Sequence, residues 1–183
     1  MPSRTEQLGP LGQLQRVGDR WELRFTRQLP HPPEKVWRAV TEPEHLAAWF
    51  PTSIDGERVA GAKLTFAFPF DEAPATEGEM VVYDPPSRME LVWGDETLRI
   101  DLQPDGGGTV LTFVNVFDEL GKAARDAAGW HSCLDDLAYE LSGEPTPWKD
   151  DERWGQVHPA YVEALGPEAS TIGPPDWHPE SQN

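Results

Sequence analysis

The chain has 183 residues, 38% of them hydrophobic, and it carries 15 basic against 32 acidic side chains, a net charge of −17. This length predicts one domain with an extension, and the acidic balance argues against nucleic acid and anionic membranes as partners. Cys133 is the only cysteine, which excludes an intrachain disulfide and a zinc site built from cysteines. There is no apolar leader and no apolar stretch of about 18 residues, so we expect a cytoplasmic protein.

The first predicted element is a strand. Residues 1–19 are polar, have no sustained period and predict a flexible leader. Apolar and polar residues then alternate over residues 21–29, which is typical of a half-buried strand. Arg27 falls on the apolar side of this alternation. We expect it to be either a buried ion-pair partner of Glu42 or Glu44, or an anchor for a ligand.

Two short helices are predicted next. Residues 30–33, Pro-His-Pro-Pro, end the strand and can open a helix, since proline is tolerated in a first turn. Residues 36–40 follow at helical spacing. Thr41 and Glu44 stand at the two positions of a capping box for the second helix, which Pro51 ends.

A change to period two predicts an antiparallel meander of about five strands over residues 57–117. We expect one of these strands to carry Phe66, Phe68 and Phe70 on the same face. The three glycines at 106–108 are a strong hairpin signal, because glycine accepts positive φ freely.

A long amphipathic helix is predicted after Gly121, with its end at Gly143 and Pro145. The apolar stripe of this helix consists of Ala127, Trp130, Leu134, Leu137 and Leu141. The concave face of a twisted antiparallel sheet is the obvious place to bury such a stripe, so the fold class is α+β. Residues 144–183 are rich in proline and tryptophan and predict an extension with one short helix. Trp148, Trp154 and Trp177 indicate that this extension packs back on the domain.

Three stretches carry a resemblance to a known family: FTRQLPHPPEKVWRAVTEPEHLAAWF (25–50), ELVWG (90–94) and GWHSCLDDLAYEL (129–141). Together they resemble the SRPBCC (START-like) superfamily, and more closely its branch related to the C-terminal domain of the heat-shock chaperone ATPase activator. The resemblance covers residues 20–143. It implies a helix-grip fold, in which a curved antiparallel sheet wraps around the C-terminal helix. In such relatives the space between sheet and helix is often a cavity that holds an apolar or amphipathic small molecule.

The residues themselves predict which side chains would line such a cavity. Small-ligand sites are mostly apolar, with a few polar groups that orient the ligand. The apolar candidates are Trp49, Phe66, Phe68, Trp93, Phe113, Phe117, Trp130, Leu134 and Leu137, and the polar candidates are Arg27, Asn115 and His131. The alternative is that these side chains simply fill the core and leave no cavity.

No catalytic or metal site is predicted. His131, Ser132 and Cys133 point about 100° apart on a helix, so His131 cannot serve either neighbour as a triad base. His131 and Asp135 stand four residues apart and could pair, but a structural metal site needs about four ligands. We therefore assign no catalytic residue, no metal and no cofactor.

Three functions follow, in this order. The first is binding of a hydrophobic or amphipathic small molecule between the sheet and the C-terminal helix. The second is an enzyme of the same fold, similar to a polyketide cyclase, an aromatase or a hydrolase. The third is a chaperone-associated role in the stress response. Only about 20 residues precede the first strand, whereas the eukaryotic activator has a separate N-terminal domain, and this argues against chaperone ATPase activation. A homodimer is left open.

Overall fold

The computed structural model describes residues 8–71 and 73–174, and over these residues eight antiparallel strands form one sheet. The strands are β1 (Gln13–Val17), β2 (Arg20–Leu29), β3 (Ser53–Asp55), β4 (Lys63–Ala67), β5 (Thr76–Asp84), β6 (Arg88–Trp93), β7 (Glu96–Asp105) and β8 (Gly108–Phe117). Their order across the sheet is β1-β2-β8-β7-β6-β5-β4-β3. β3 to β8 follow one another as a meander, which confirms the prediction with one additional short strand, β3.

Four α-helices complete the described part of the chain: α1 (Pro33–Thr41), α2 (Pro43–Trp49), α3 (Ala123–Ser142) and α4 (Glu152–Leu165). α3 is the predicted long helix, and its predicted stripe is buried along its whole length. Gly143 ends α3 in the left-handed conformation, with φ 75°, which is the usual glycine stop. The architecture is the expected α+β helix-grip fold, because the sheet packs its apolar face against α3.

The expected capping box does not form. α1 runs through Thr41, and the Thr41 hydroxyl donates to the carbonyl of Trp37, 2.7 Å away and four residues earlier. Thr41 therefore bonds back to its own helix instead of capping the next one. The first residue of α2 is Pro43, and Glu42 stands before it in an extended conformation.

Part of the predicted leader is a strand. Residues 13–17 form β1, which pairs with β2 along its whole length, from Gln13 opposite Arg24 to Val17 opposite Arg20. The prediction of a flexible segment is wrong for these residues, because backbone hydrogen bonds hold β1 and four of its five side chains are exposed. Just before it, Leu8 is buried.

The prediction that Phe66, Phe68 and Phe70 share one face of a strand holds for Phe66 and is wrong for Phe68 and Phe70. β4 ends at Ala67, since Pro69 has no amide hydrogen to donate to a neighbouring strand. Phe68 lies just past the strand and is half-buried. Phe70 lies in a short 3₁₀ turn with φ 59° and is 95% exposed.

The described part of the C-terminal extension packs back on the domain. Trp154, Val157 and Tyr161 of α4 are buried in the same core as α3. Pro159 lies inside α4 without ending it. Trp177, also expected to pack back, lies outside the described residues.

Candidate functional site

The space between the sheet and α3 is filled by side chains. Among the described residues its internal cavity measures about 10 Å³ and is lined by core residues such as Trp49, Leu91 and Phe113. That volume is room for about one water molecule, far below the several hundred Å³ of small-ligand sites. Over the residues that the structure describes, this cavity is therefore too small for the ligand that the resemblance implied, and the alternative of a filled core describes the interior around it.

A groove of about 400 Å³ opens beside this core, where the β6–β7 hairpin faces the first half of α3. Four aromatic side chains line it: Phe68, Trp93, Trp130 and Trp154. Its polar side is formed by Glu96, Lys122, Arg125 and Asp126. We call the volume between these eight residues the aromatic groove. Three predicted site residues, Phe68, Trp93 and Trp130, are thus brought together at its wall.

Core aromatic rings support the wall of the groove. The Trp93 ring stacks on Phe66 at 5.1 Å between centroids and meets Trp130 edge to face at 6.2 Å. Trp130 in turn packs on Phe113 at 4.7 Å. Since Phe66 and Phe113 are fully buried, the indoles that face the groove stand on close-packed rings. The wall is therefore preformed.

Hydrogen bonds fix the orientation of both indoles that α3 and α4 contribute. The Trp130 Nε1–H donates to Asn115 Oδ1 at 3.2 Å, and Asn115 is itself buried in β8. The Asn115 amide donates to Glu96 Oε1 at 3.4 Å. On the other side, the Trp154 Nε1–H donates to the carbonyl of Arg125 at 3.2 Å. Asn115 thus lies behind the groove and holds two of its lining residues.

The polar side of the groove is a chain of alternating charges. Lys122 Nζ lies 3.1 Å from Glu96 Oε1 and 3.6 Å from Asp126 Oδ2, and Arg125 Nε lies 3.0 Å from Asp126 Oδ1. Burial raises the pKa of Glu96, and the attraction of Lys122 offsets this only in part. Burial opposes the charge of Lys122 as well, but the two carboxylates outweigh it and raise its pKa. These residues give the groove hydrogen-bond donors and acceptors with a net charge of zero.

Cys133 also lines the groove. Burial raises its pKa to about 12, so the thiolate is essentially absent at neutral pH.

His131 belongs to a different polar network. Its ring is fully buried, Nε2–H donates to the carbonyl of Leu8 at 2.9 Å, and Nδ1 accepts the Tyr161 hydroxyl at 2.7 Å. Asp135 lies 3.5 Å from Nε2, which confirms the expected pairing of these two residues. The Tyr161 oxygen accepts the amide of Gly12 at 2.8 Å, so the network ties the N-terminal segment to α3 and α4.

Arg27 joins this network and not the acidic residues of the first helices. One of its terminal nitrogens lies 3.4 Å from His131 Nδ1, and the other donates to the carbonyl of Thr26. The expected ion pair with Glu42 or Glu44 is wrong, because Arg27 faces α3, where Asp135 is the carboxylate that acts on it. Neither Arg27 nor His131 lines the aromatic groove, and their role in ligand binding stays a prediction.

The other predicted site residues are core residues. Phe117, Leu134 and Leu137 are at most 2% exposed, and Trp49 is 3% exposed with its indole bonded to the carbonyl of Ala39. They support the groove from within the core.

Sequence reasoning missed Glu96, Lys122, Arg125, Asp126 and Trp154 as groove residues. For Glu96 the sequence does carry a signal. Glu96 precedes Leu98 by two residues and Ile100 by four, and both of these are buried in β7. The alternation therefore places a carboxylate on the inward face. The other four come from α3, the turn before it and α4, and only the tertiary fold brings them to the strand.

Comparison with known proteins places the chain in a family. Residues 30–142, more than half of the chain, match the family described as "Activator of Hsp90 ATPase homolog 1-like protein". The chain belongs to this family. No curated protein matches it.

Solved structures with the same fold as this chain come from several bacteria. CalU16 from Micromonospora echinospora is 19% identical, covers 83% of this chain and 94% of its own, and superposes with a TM-score of 0.65. EF2215 from Enterococcus faecalis, a conserved protein of unknown function, is 20% identical over 84% of this chain and 90% of its own, with a TM-score of 0.69. The Bordetella parapertussis protein BPP1335 is 24% identical over 78% and 85%, with a TM-score of 0.63. At these identities the likeness shows the fold.

Two further findings bear on the site. Over residues 8–71 and 73–174, no group of three or more histidine, cysteine or acidic side chains is arranged to hold a metal ion. None of the helices in that part of the chain is long and apolar enough to cross a membrane.

Proposed function

We propose that the protein binds an apolar or amphipathic small molecule with a flat ring in the aromatic groove. The observation that carries the proposal is an open volume of about 400 Å³ whose wall includes four aromatic side chains. This volume lies within the range of small-ligand sites, which are mostly apolar with a few polar groups. The site lies at the mouth between the sheet and α3 and not in the interior between them.

The preference for a ring follows from the shape of the wall. Trp93 and Trp130 both line the groove and meet edge to face at 6.2 Å, so their rings form a corner in its wall. A flat aromatic ligand fits such a corner and gains roughly 0.5–1.5 kcal/mol per ring pair beyond the burial of apolar surface. Because Phe66 and Phe113 already hold both indoles, little ordering cost falls on the protein when a ligand binds.

The polar side of the groove favours an amphipathic ligand over a purely apolar one. Lys122 offers a donor, and Glu96 and Asp126 offer acceptors, at the border of the aromatic wall. These charges already neutralise one another. We therefore expect a ligand that is recognised through hydrogen bonds, such as a hydroxyl or carbonyl group on its ring, and not through a net charge.

The test begins with native mass spectrometry of protein purified gently from its source, repeated after denaturation. We expect an additional mass that is lost on denaturation. Calorimetric titration with 2-naphthol, a flat ring with one hydroxyl, then tests the groove directly. Trp93→Leu should weaken naphthol binding roughly five- to tenfold, because a leucine keeps apolar volume but removes the ring face.

The matched control is Trp148→Leu. Trp148 packs on Tyr139 and bonds to Asp136, and it does not line the groove. We expect this variant to bind 2-naphthol as the wild type does. An apo mass together with no saturable naphthol binding would overturn the proposal, as would equal losses in the two variants.

An enzyme of the same fold is the second candidate, and one observation favours it. Glu96 is a carboxylate whose pKa is raised by burial, and it borders the groove beside Lys122. Such a pair suits proton transfer to or from a bound ligand. If a co-purified ligand is converted when its purified form is returned to the protein, Glu96→Gln should abolish conversion with affinity largely kept. Loss of affinity alone would assign Glu96 to binding. The chaperone-associated role stays a prediction from the family resemblance.

A further inference from the structure

Another open volume, of about 380 Å³, lies between the end of α1, the start of α2 and the turn that follows β3. Its charged lining residues are Arg38, Glu42, Asp55 and Arg58, and we call it the arginine pocket. None of the described residues that line it also lines the aromatic groove. Its volume lies within the range of small-ligand sites.

The backbone fixes the position of Arg58 in this pocket. Its Nε–H donates to the carbonyl of Thr41 at 3.0 Å, and its terminal nitrogens donate to the carbonyls of Gly56 and Ile54, each at 2.9 Å. These bonds use three of the five N–H donors of a guanidinium and leave two. Thr41 ends α1, where the partial negative charge of the helix terminus favours a cation. The cation is therefore in place before any ligand binds.

The charged side chains of the arginine pocket do not pair with one another. Among the described residues, the ion pairs include neither of its two arginines. Glu42 lies 3.6 Å from Nε2 of His45, which does not line the pocket, and Asp55 accepts the hydroxyl of Ser53 at 3.3 Å. In the aromatic groove, by contrast, opposite charges are in direct contact. The arginine pocket thus holds two cations and two anions around an open volume.

Burial makes the charge of Arg58 costly. It lowers the pKa of the half-buried guanidinium, while Tyr83 and Asp55 act in the opposite direction. Because the attraction between charges grows as water is excluded, such a cation gains more from a bound carboxylate than a fully hydrated one does. The two acidic side chains offer the matching attraction to a bound cationic group.

The apolar part of the pocket is a pair of aromatic rings. Trp37 is 7% exposed, and its ring lies 5.5 Å from the ring of Tyr83, which is half-buried. Both residues line the pocket. Such a surface suits a ring or another apolar side chain of a ligand.

We propose that the arginine pocket is a second ligand site, which takes a small zwitterion with an apolar side chain, of the class of an aromatic α-amino acid. The carboxylate of the ligand pairs with the two arginines, its ammonium group pairs with Glu42 and Asp55, and its side chain lies on the aromatic pair. A simple anion fits less well, because two carboxylates border the same volume and the chain carries a net charge of −17. The inference does not depend on the proposed function, since the two sites share no described residue.

Three probes of similar size test this proposal on the full chain. They are L-phenylalanine, 3-phenylpropionate, which lacks the ammonium group, and 2-phenylethylamine, which lacks the carboxylate. We expect saturable binding of L-phenylalanine in a calorimetric titration. Each analogue should bind roughly ten- to hundredfold more weakly, because it loses hydrogen bonds between charged groups.

Two substitutions test which charge recognises which group. Arg38→Gln, at an exposed position, should weaken binding of L-phenylalanine and 3-phenylpropionate roughly five- to tenfold and should not weaken binding of 2-phenylethylamine. Glu42→Gln should weaken binding of L-phenylalanine and 2-phenylethylamine and should not weaken binding of 3-phenylpropionate. The side chain of Glu42 caps neither neighbouring helix, so this variant should fold. Arg58 is left in place because its three backbone bonds hold the turn after β3.

The matched controls are Arg16→Gln and Glu34→Gln. They make the same changes of charge at exposed positions outside the pocket and should leave all three affinities as in the wild type. A third control is Trp93→Leu, which alters the aromatic groove and should not change the affinity for L-phenylalanine.

Four results would overturn the proposal. The first is no saturable binding of L-phenylalanine. The second is equal affinity for L-phenylalanine and 3-phenylpropionate, which would make the pocket a site for simple anions. The third is an equal loss in Arg38→Gln and Arg16→Gln, which would mean that the overall charge of the protein and not the pocket is recognised. The fourth is a loss of L-phenylalanine binding in Trp93→Leu, which would assign that binding to the aromatic groove.

Discussion

Acidification should destabilise the protein through His131, whose ring is fully buried and hydrogen-bonded as the neutral base. Burial lowers its pKa from 6.5 to about 4, and the Asp135 carboxylate offsets that effect only in part. The other charged or titratable groups around the ring come from two elements packed against it. They are Arg27 on β2, and Arg153 and Tyr161 on α4.

The sign of the pH effect follows from proton binding. In the unfolded chain His131 binds a proton below about pH 6.5, whereas in the folded protein it stays neutral down to about pH 4. Its contribution to stability is therefore fully present above pH 6.5 and is lost as the pH falls towards 4. The difference between the two pKa values corresponds to about 3 kcal/mol in the free energy of unfolding.

Urea unfolding followed by circular dichroism between pH 7.5 and 4.5 measures this loss. Carboxylates titrate in the same range, so the wild type is compared with His131→Gln, in which they remain and the imidazole is absent. The wild type should be the more stable protein at pH 7.5, and its advantage should shrink by roughly 2–3 kcal/mol at pH 4.5. A constant advantage over this range would refute the argument, and so would an imidazole resonance of His131 that titrates near pH 6.5.

Three further substitutions test packing around this network and in α3, each by urea unfolding. Tyr161→Phe removes the hydroxyl that lies between the Gly12 amide and the buried imidazole, so it should lower the free energy of unfolding by about 2 kcal/mol. The control is Tyr139→Phe, at a half-buried position elsewhere on α3, which should lower it by less than about 0.5 kcal/mol. Gly12→Ala should lower the free energy of unfolding by about 1–3 kcal/mol, because its new Cβ would clash with the Phe25 ring. Gly129→Ala should instead stabilise α3 by about 0.5–1 kcal/mol, since nothing lies within 4 Å of the added methyl. This interpretation of the packing is wrong if the two tyrosine variants lose equal stability. It is also wrong if Gly12→Ala stabilises the protein or Gly129→Ala destabilises it.

Sequence alternation predicts β2 and β7 because each has one face that is apolar and buried. The stripe of α3 fills the face they share. β1 could not be found in this way, because only Leu14 of its five residues is even half-buried. Backbone pairing with β2 holds that strand, and backbone pairing leaves no hydrophobic pattern in the sequence.

The candidate site was predictable in its aromatic part and not in its polar part. Trp93 and Trp130 lie on elements with clear periods, so their convergence follows from the fold. The partners of the buried polar groups are distant in sequence, as Gly12 and Tyr161 show with a hydrogen bond across 149 residues. Only the pairing of His131 with Asp135 had a local signal, which is the spacing of four residues along one helix face.

Some inward positions of otherwise apolar strands carry polar side chains, among them Arg27 on β2, Glu96 on β7 and Asn115 on β8. A buried polar group is tolerated only with partners, and all three find them on or beside α3. Arg27 meets His131 in a network that residues 8–12 and α4 close off from solvent.

Arg27 and His131 form the first set of inward polar groups. In the second set, Glu96 pairs with Lys122 and Asn115 bonds to Trp130, and this set borders an open volume of about 400 Å³. The first set has its polar groups satisfied within the protein. The second combines oriented polar groups with a preformed aromatic wall that faces solvent. Of these two sets, the one that contains Glu96 therefore supports the proposal that a molecule from outside binds in the aromatic groove.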